Sequence, residues 1–111
     1  MAQTAEAKVK KFVKDFMFSN FEDLWYFSPM AGQFGNTGVP DHLYLWKGIF
    51  IVIEAKADGN SPTALQWKHL KHIARQGGVA AVVTGKDLDK MVKIRNAILE
   101  RIKNDSETPA R

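Results

Sequence analysis

Residues 38–56 read Gly38-Val39-Pro40-Asp41-His42-Leu43-Tyr44-Leu45-Trp46-Lys47-Gly48-Ile49-Phe50-Ile51-Val52-Ile53-Glu54-Ala55-Lys56. Two apolar runs, 42–46 and 49–53, are split by Lys47-Gly48 alone. A two-residue link ending in glycine between such runs predicts an antiparallel hairpin with a tight turn. If Trp46 pairs with Ile49, Leu45 falls opposite Phe50, Leu43 opposite Val52, and Asp41 opposite Glu54. Facing side chains in such a pair lie about 4.5–5.5 Å apart at Cβ, and two carboxylates there repel unless something compensates them. Lys56 is two residues beyond Glu54 and leaves the strand on the same face. The hairpin is apolar on both faces. Leu43, Leu45, Phe50 and Val52 share the face of the acid pair; Tyr44, Trp46, Ile49, Ile51 and Ile53 share the other. A sheet with one wet side alternates apolar and polar, so both faces call for cover. Helices of the same chain can cover one, and the last helix or a second subunit the other.

Outward from the hairpin, residues 3–18 predict a helix whose inward stripe is Val9, Phe12, Val13, Phe16 and Met17. Glu6 ends that stripe. It reads either as a first-turn acid favoured by the helix dipole or as a carboxylate aimed at the acid pair. Residues 24–28 predict a first strand ended by Pro29. The loop 30–40 holds three glycines within 32–38, which permits close backbone approach but most often simply turns. It is no Walker loop, and the lysine after Gly85 is followed by Asp87 rather than Ser or Thr.

Past the hairpin, Ser61-Pro62 predicts a second helix with Ser61 as cap. Its inward stripe is Gln66, Trp67, Leu70, Ile73 and Ala74, closing at Gly77-Gly78. A buried amide such as Gln66 needs a partner, either a loop carbonyl or the polar site. Residues 79–83 predict a short buried strand, and roughly 86–103 a last helix with the stripe Leu88, Met91, Val92, Ile98, Leu99 and Ile102. The expected fold class is α/β, a small mixed sheet flanked by helices in the order α-β-β-β-α-β-α. Residues 1–103 form one domain and 104–111 a polar, disordered tail.

The totals narrow the function. The chain has 111 residues, 45% hydrophobic and 25% charged, with net charge +4 and no cysteine. Disulfides, Cys-zinc sites and thiol catalysis are excluded, and no run of about 18 apolar residues predicts a membrane span. No signal pattern opens the chain, so a cytoplasmic location fits. The mild positive balance suits a polyanion without requiring one. Lys68, Lys71, Arg75 and Lys47, with the N-terminal lysines, offer phosphate contacts or merely a solvated face. His69 and His72 lie three apart beside the second helix's stripe without a third ligand nearby in sequence, so no zinc site follows. No Gly-x-Ser-x-Gly nucleophile is present.

Asp41, Glu54 and the backbone carbonyl of Ala55 offer three hard oxygens. Mg²⁺ takes one or two carboxylates plus waters and substrate phosphate, and it polarises a phosphoryl oxygen and acidifies bound water. Lys56, a compact ammonium, would neutralise the transition state or hold the attacking water. The competing reading is a strand-end salt bridge.

Gly38-Val39-Pro40-Asp41, then Glu54-Ala55-Lys56, then Pro62-Thr63-Ala64-Leu65-Gln66 closely resembles the virus-type replication-repair nuclease (VRR-NUC) family of the PD-(D/E)XK superfamily. The likeness runs from about Glu6 to Val83, including the Gly77-Gly78-then-strand ending. It implies an endonuclease-like core, Mg²⁺ dependence with Mn²⁺ as substitute, and hydrolysis of phosphodiester bonds in structured DNA. It implies Asp41 and Glu54 as metal ligands, Lys56 as catalytic lysine, Gln66 as supporting glutamine, and Glu6 as helix-borne acid. Small stand-alone members are typically phage-encoded homodimers acting on branched DNA, including four-way (Holliday) junctions. The same domain in larger repair proteins is a monomer that cuts flaps. The expectation is therefore a homodimeric junction-resolving endonuclease, with a flap- or fork-type repair nuclease or a non-catalytic DNA-binding dimer as alternatives. The Tyr44, Trp46, Ile51 face is the candidate interface, in competition with the last helix.

Overall fold

The computed structural model describes residues 3–29 and 38–107. Helix α1 (Ala5–Asn20) is followed by strands β1 (Trp25–Phe27), β2 (His42–Trp46) and β3 (Ile49–Lys56). Helix α2 (Ala64–Arg75), strand β4 (Val79–Thr84) and helix α3 (Leu88–Glu107) complete the chain. The order is the expected α-β-β-β-α-β-α. The four strands form one mixed sheet in the order β1-β2-β3-β4, antiparallel except for the parallel β3–β4 pair.

The hairpin takes the predicted register, with Trp46 opposite Ile49, Leu45 opposite Phe50 and Leu43 opposite Val52. Lys47 (φ 49°) and Gly48 (φ 82°) both adopt the left-handed conformation. That is the primed-turn backbone whose twist matches the two strands.

The core lies between the sheet and two helices. Val9, Val13 and Met17 of α1 and Met91, Ile94 and Ile98 of α3 pack with Tyr44, Trp46, Ile49, Ile51 and Ile53. Tyr44 and Ile51 are fully buried, so this face is covered within the chain and is no subunit interface. The expectation of an interface there is corrected: α1 and α3 together cover it. Val52 and Leu70 are also buried but stand outside that cluster, and α2 packs on β4. On the face of the acid pair, Trp25 (53% exposed), Phe27 (51%), Leu45 (45%) and Phe50 (39%) remain open. The uncovered face is the opposite of the expected one.

Other departures have local causes. Thr63, not Ser61, caps α2, because Thr63 and Gln66 form a reciprocal capping box. The α3 stripe is Met91, Ile94, Ile98 with Ile102 partly buried, while Leu88 and Leu99 are exposed. These four follow one helical face, and Arg95 beside them donates to Asn20 Oδ1 at 3.3 Å, tying α3 to the end of α1. Helix α3 also continues to Glu107, beyond the expected end at 103. Strand β4 is an edge strand, so Val79–Val82 are half-buried rather than buried. The glycine loop 30–37, the candidate phosphate cradle, lies outside the described residues.

Candidate active site

Asp41 is delivered by a short rigid approach. Gly38 has φ +81°, and a Cβ there would come within 2.6 Å of Leu65 Cγ on α2. Only glycine combines that backbone with that contact. Pro40 is fully buried, and the Ser28 hydroxyl donates to the Asp41 carbonyl at 3.0 Å. Both ends of the approach are thus pinned, by α2 and by the segment after β1. The pair His42–Ile53 is the last of the ladder, and Asp41 and Glu54 face each other one step beyond it.

Glu54 is completely buried, and neither carboxylate oxygen has a hydrogen-bond partner among the described residues. Burial, and after it the neighbouring Asp41 carboxyl, push its pKa up to about 8, with Lys56 pulling the other way. An acid in this state is poised for a cation or a proton. Lys56, its side chain 12% exposed, lies 3.9 Å from Glu6 Oε1. Lys10 Nζ lies 3.6 Å from Glu6 Oε2 and 3.6 Å from Asp41 Oδ1. Helix α1 therefore contributes both an acid and an ammonium to the mouth of the site. Glu6 is brought to the group, as one of its two readings expected. Lys10 was missed, although its i+4 spacing from Glu6 puts both on one helix face.

Ala55 sits between Glu54 and Lys56 in β3, fully buried and paired with Val83. Gln66 is engaged neither by a loop carbonyl nor by the acid pair among the described residues: its Oε1 accepts from the N-cap Thr63 N–H at 2.8 Å. No hydrogen bond ties its side chain to Asp41, Glu54 or Lys56 among the described residues. Its helix end is nonetheless close to the site, since Leu65 packs on Gly38.

His42, next to Asp41, points the other way. It is buried beside Tyr44, whose hydroxyl lies 3.1 Å from its Nδ1. Desolvation lowers its pKa to about 4, so it is a neutral core residue. Burial drives the Tyr44 phenol up, so it too stays neutral. His69 and His72 join no metal-binding group among the described residues.

No set of three acid or imidazole side chains forms a closed cage among the described residues. Two facing carboxylates, one with both oxygens unpartnered, suit a hard divalent cation that keeps waters and substrate oxygens in its shell. The donor set therefore fits Mg²⁺ or Mn²⁺ and not a structural zinc site.

No protein-family model and no curated protein matches the sequence. Among solved structures, a chain described as a VRR_NUC domain superimposes with a TM-score of 0.64 at 20% identity, over 88% of this chain and 97% of that one. This protein has the fold of a VRR_NUC domain, a nuclease-type fold.

Proposed function

We propose that this chain is a metal-dependent endodeoxyribonuclease of the VRR-NUC family, acting on branched DNA as a homodimer. The observation that carries the reading is Glu54: fully buried, opposite Asp41, both oxygens without a hydrogen-bond partner among the described residues. A structural salt bridge would have satisfied that carboxylate. Lys56 leaves the same strand face but is matched with Glu6 instead.

In this reading Asp41, Glu54 and the Ala55 carbonyl would hold Mg²⁺, or Mn²⁺ in its place, with Glu6 as a further ligand directly or through water. Bound there, the ion supplies Lewis-acid polarisation of the phosphodiester and a more acidic water. Lys56 brings preorganised positive charge to the phosphorane-like transition state, the kind of term that dominates many active sites. Its low exposure makes that charge act through little water. Lys10, 3.6 Å from Asp41 Oδ1, balances part of the acid pair's charge from α1. Gln66 supports the constellation from the end of α2 that packs on Gly38.

The homodimer rests on the open apolar face of Trp25, Phe27, Leu45 and Phe50. Exposed contiguous apolar surface marks an interaction site, and this one shares a sheet face with Glu54. A second copy seated there would set two active sites in fixed relation, as paired incisions across a four-way junction require.

The test is a cleavage panel at equal concentration: four-way junction, fork, flap, single strand and linear duplex, with a sedimentation mass for the protein. Paired symmetrical nicks on the junction by a dimer are expected, with Leu45→Asp reducing the mass to that of a monomer. Cuts confined to flaps by a monomer would replace the junction reading with a flap-type one.

A further inference from the structure

Six of the sixteen lysines and arginines are held by an acid or an aromatic ring among the described residues. Lys10, Lys11, Lys56 and Arg101 make ion pairs, and Lys14 and Lys47 lie over the rings of Tyr26 and Trp46. Helix α2 is different. Over Ala64–Arg75 it carries Lys68, Lys71 and Arg75 and not one acid. The i, i+3, i+7 spacing puts all three on one face, where they line a shared concavity with Trp67. Lys71 and Trp67 also line a groove of about 450 Å³ along the open edge of β4, whose far wall is α3 with Lys90 and Lys93. Among the described residues none of these five cations has an acidic partner.

We infer that this band, from α2 across the β4 edge to α3, is the track for the backbone of the DNA arm beside the cut. The inference rests on the nuclease reading of the site and adds where the substrate lies. Three features fit a polyanion. Five unpaired cations concentrate positive potential in a concave surface, which focuses the field. From Lys68 to Arg75 the helix rises about 10 Å, the axial length of about three base pairs. The band also starts at the site: α2 begins one turn before Lys68, where Leu65 packs on Gly38. Trp67, 42% exposed among the cations, presents a flat apolar side chain to a sugar or base face. A second copy is disfavoured on this surface, because it would bring like charges together.

The experiment is equilibrium binding of the full chain to a four-way junction and to a linear duplex in EDTA, at several salt concentrations. Neutralising a phosphate-contacting cation lowers the slope of log K against log salt by about one. The triple variant Lys68→Ala/Lys71→Ala/Arg75→Ala is expected to bind at least tenfold more weakly than wild type and to lose about two to three units of slope. Lys90→Ala/Lys93→Ala is expected to lose one to two. The control Lys11→Ala/Lys103→Ala, two exposed lysines off the band, keeps affinity and slope; circular dichroism checks that each variant is folded. Wild-type binding with an unchanged triple-variant slope, or equal losses in the control, would overturn the track while leaving the nuclease reading intact. That outcome would leave the β4 groove to another partner, such as an acidic protein strand. A wild-type chain that binds neither DNA would overturn both.

Discussion

Glu54 occupies a position that disfavours its own charge. The side chain is fully buried, and neither oxygen makes a hydrogen bond of ordinary geometry among the described residues. Burial, and after it the Asp41 carboxyl, raise its pKa to about 8 from an ordinary 4.5. Between those two values the folded state holds a proton that the unfolded chain has released. Stability of the metal-free protein therefore falls as pH rises from about 4.5 to about 8, and this contribution levels off above. His42 acts in the opposite sense at lower pH: with its folded pKa at about 4 against 6.5, it costs stability as pH falls below 6.5. Substituting Glu54→Gln removes only the first effect. In EDTA, urea unfolding at pH 8.5 should show the variant more stable than wild type by roughly 2–5 kcal/mol, with the difference vanishing near pH 4.5. A pH-independent difference would mean that Glu54 is ionised throughout. The facing of Asp41 and Glu54 was legible in the sequence because Lys47-Gly48 leaves one sensible turn and hence one register. Lys10 was not, since a charged residue off the apolar stripe looks like any solvated lysine until the helix is docked. Gln66 was legible as a polar side chain needing a partner, but its pattern does not distinguish the helix cap from the site.

At the scale of elements, the site depends on the contact between the approach to β2 and the start of α2. Gly38 with φ +81° lets Leu65 in, and the Thr63–Gln66 box fixes where the helix begins. The substitution Gly38→Ala places a methyl group in an unfavourable backbone region and against Leu65. It should destabilise the fold by roughly 1–3 kcal/mol and reduce cleavage more than DNA binding, because Asp41 moves and the α2 cations do not. A urea midpoint and a cutting rate both equal to wild type would show that the contact is dispensable. Helix periodicity locates all three helices, yet the stripe it predicts for α3 omits the buried Ile94 and includes the exposed Leu88 and Leu99. The ambiguity is physical: apolar residues at 88, 91, 92, 94, 98, 99 and 102 are too many for one face, and only the tilt against α1 and the sheet chooses among them.

For the whole molecule, the deciding fact is how three helices share two apolar sheet faces. Helices α1 and α3 take one face entirely, while α2 packs on β4. The β1–β2 half of the other face is left uncovered beside Glu54. Two faces of similar hydrophobicity gave no way to rank which would be covered, so the sequence marked the need for cover but not the side. The resulting arrangement has an acid pair in the middle with Glu54 buried and Asp41 partly exposed, an open apolar face on the β1 side and a band of cations on the β4 side. No described helix is long and apolar enough to cross a membrane. In the proposed function the acid pair is a catalytic metal site and not a salt bridge. It is tested most directly by cleavage of a labelled four-way junction with and without Mg²⁺, by wild type, Asp41→Ala, Glu54→Ala and Lys56→Ala, with binding measured in parallel. Magnesium-dependent cutting by wild type alone is expected, at least about 10³-fold above each variant, with junction binding retained in all four. Magnesium-dependent cutting that survives in the three variants would contradict it.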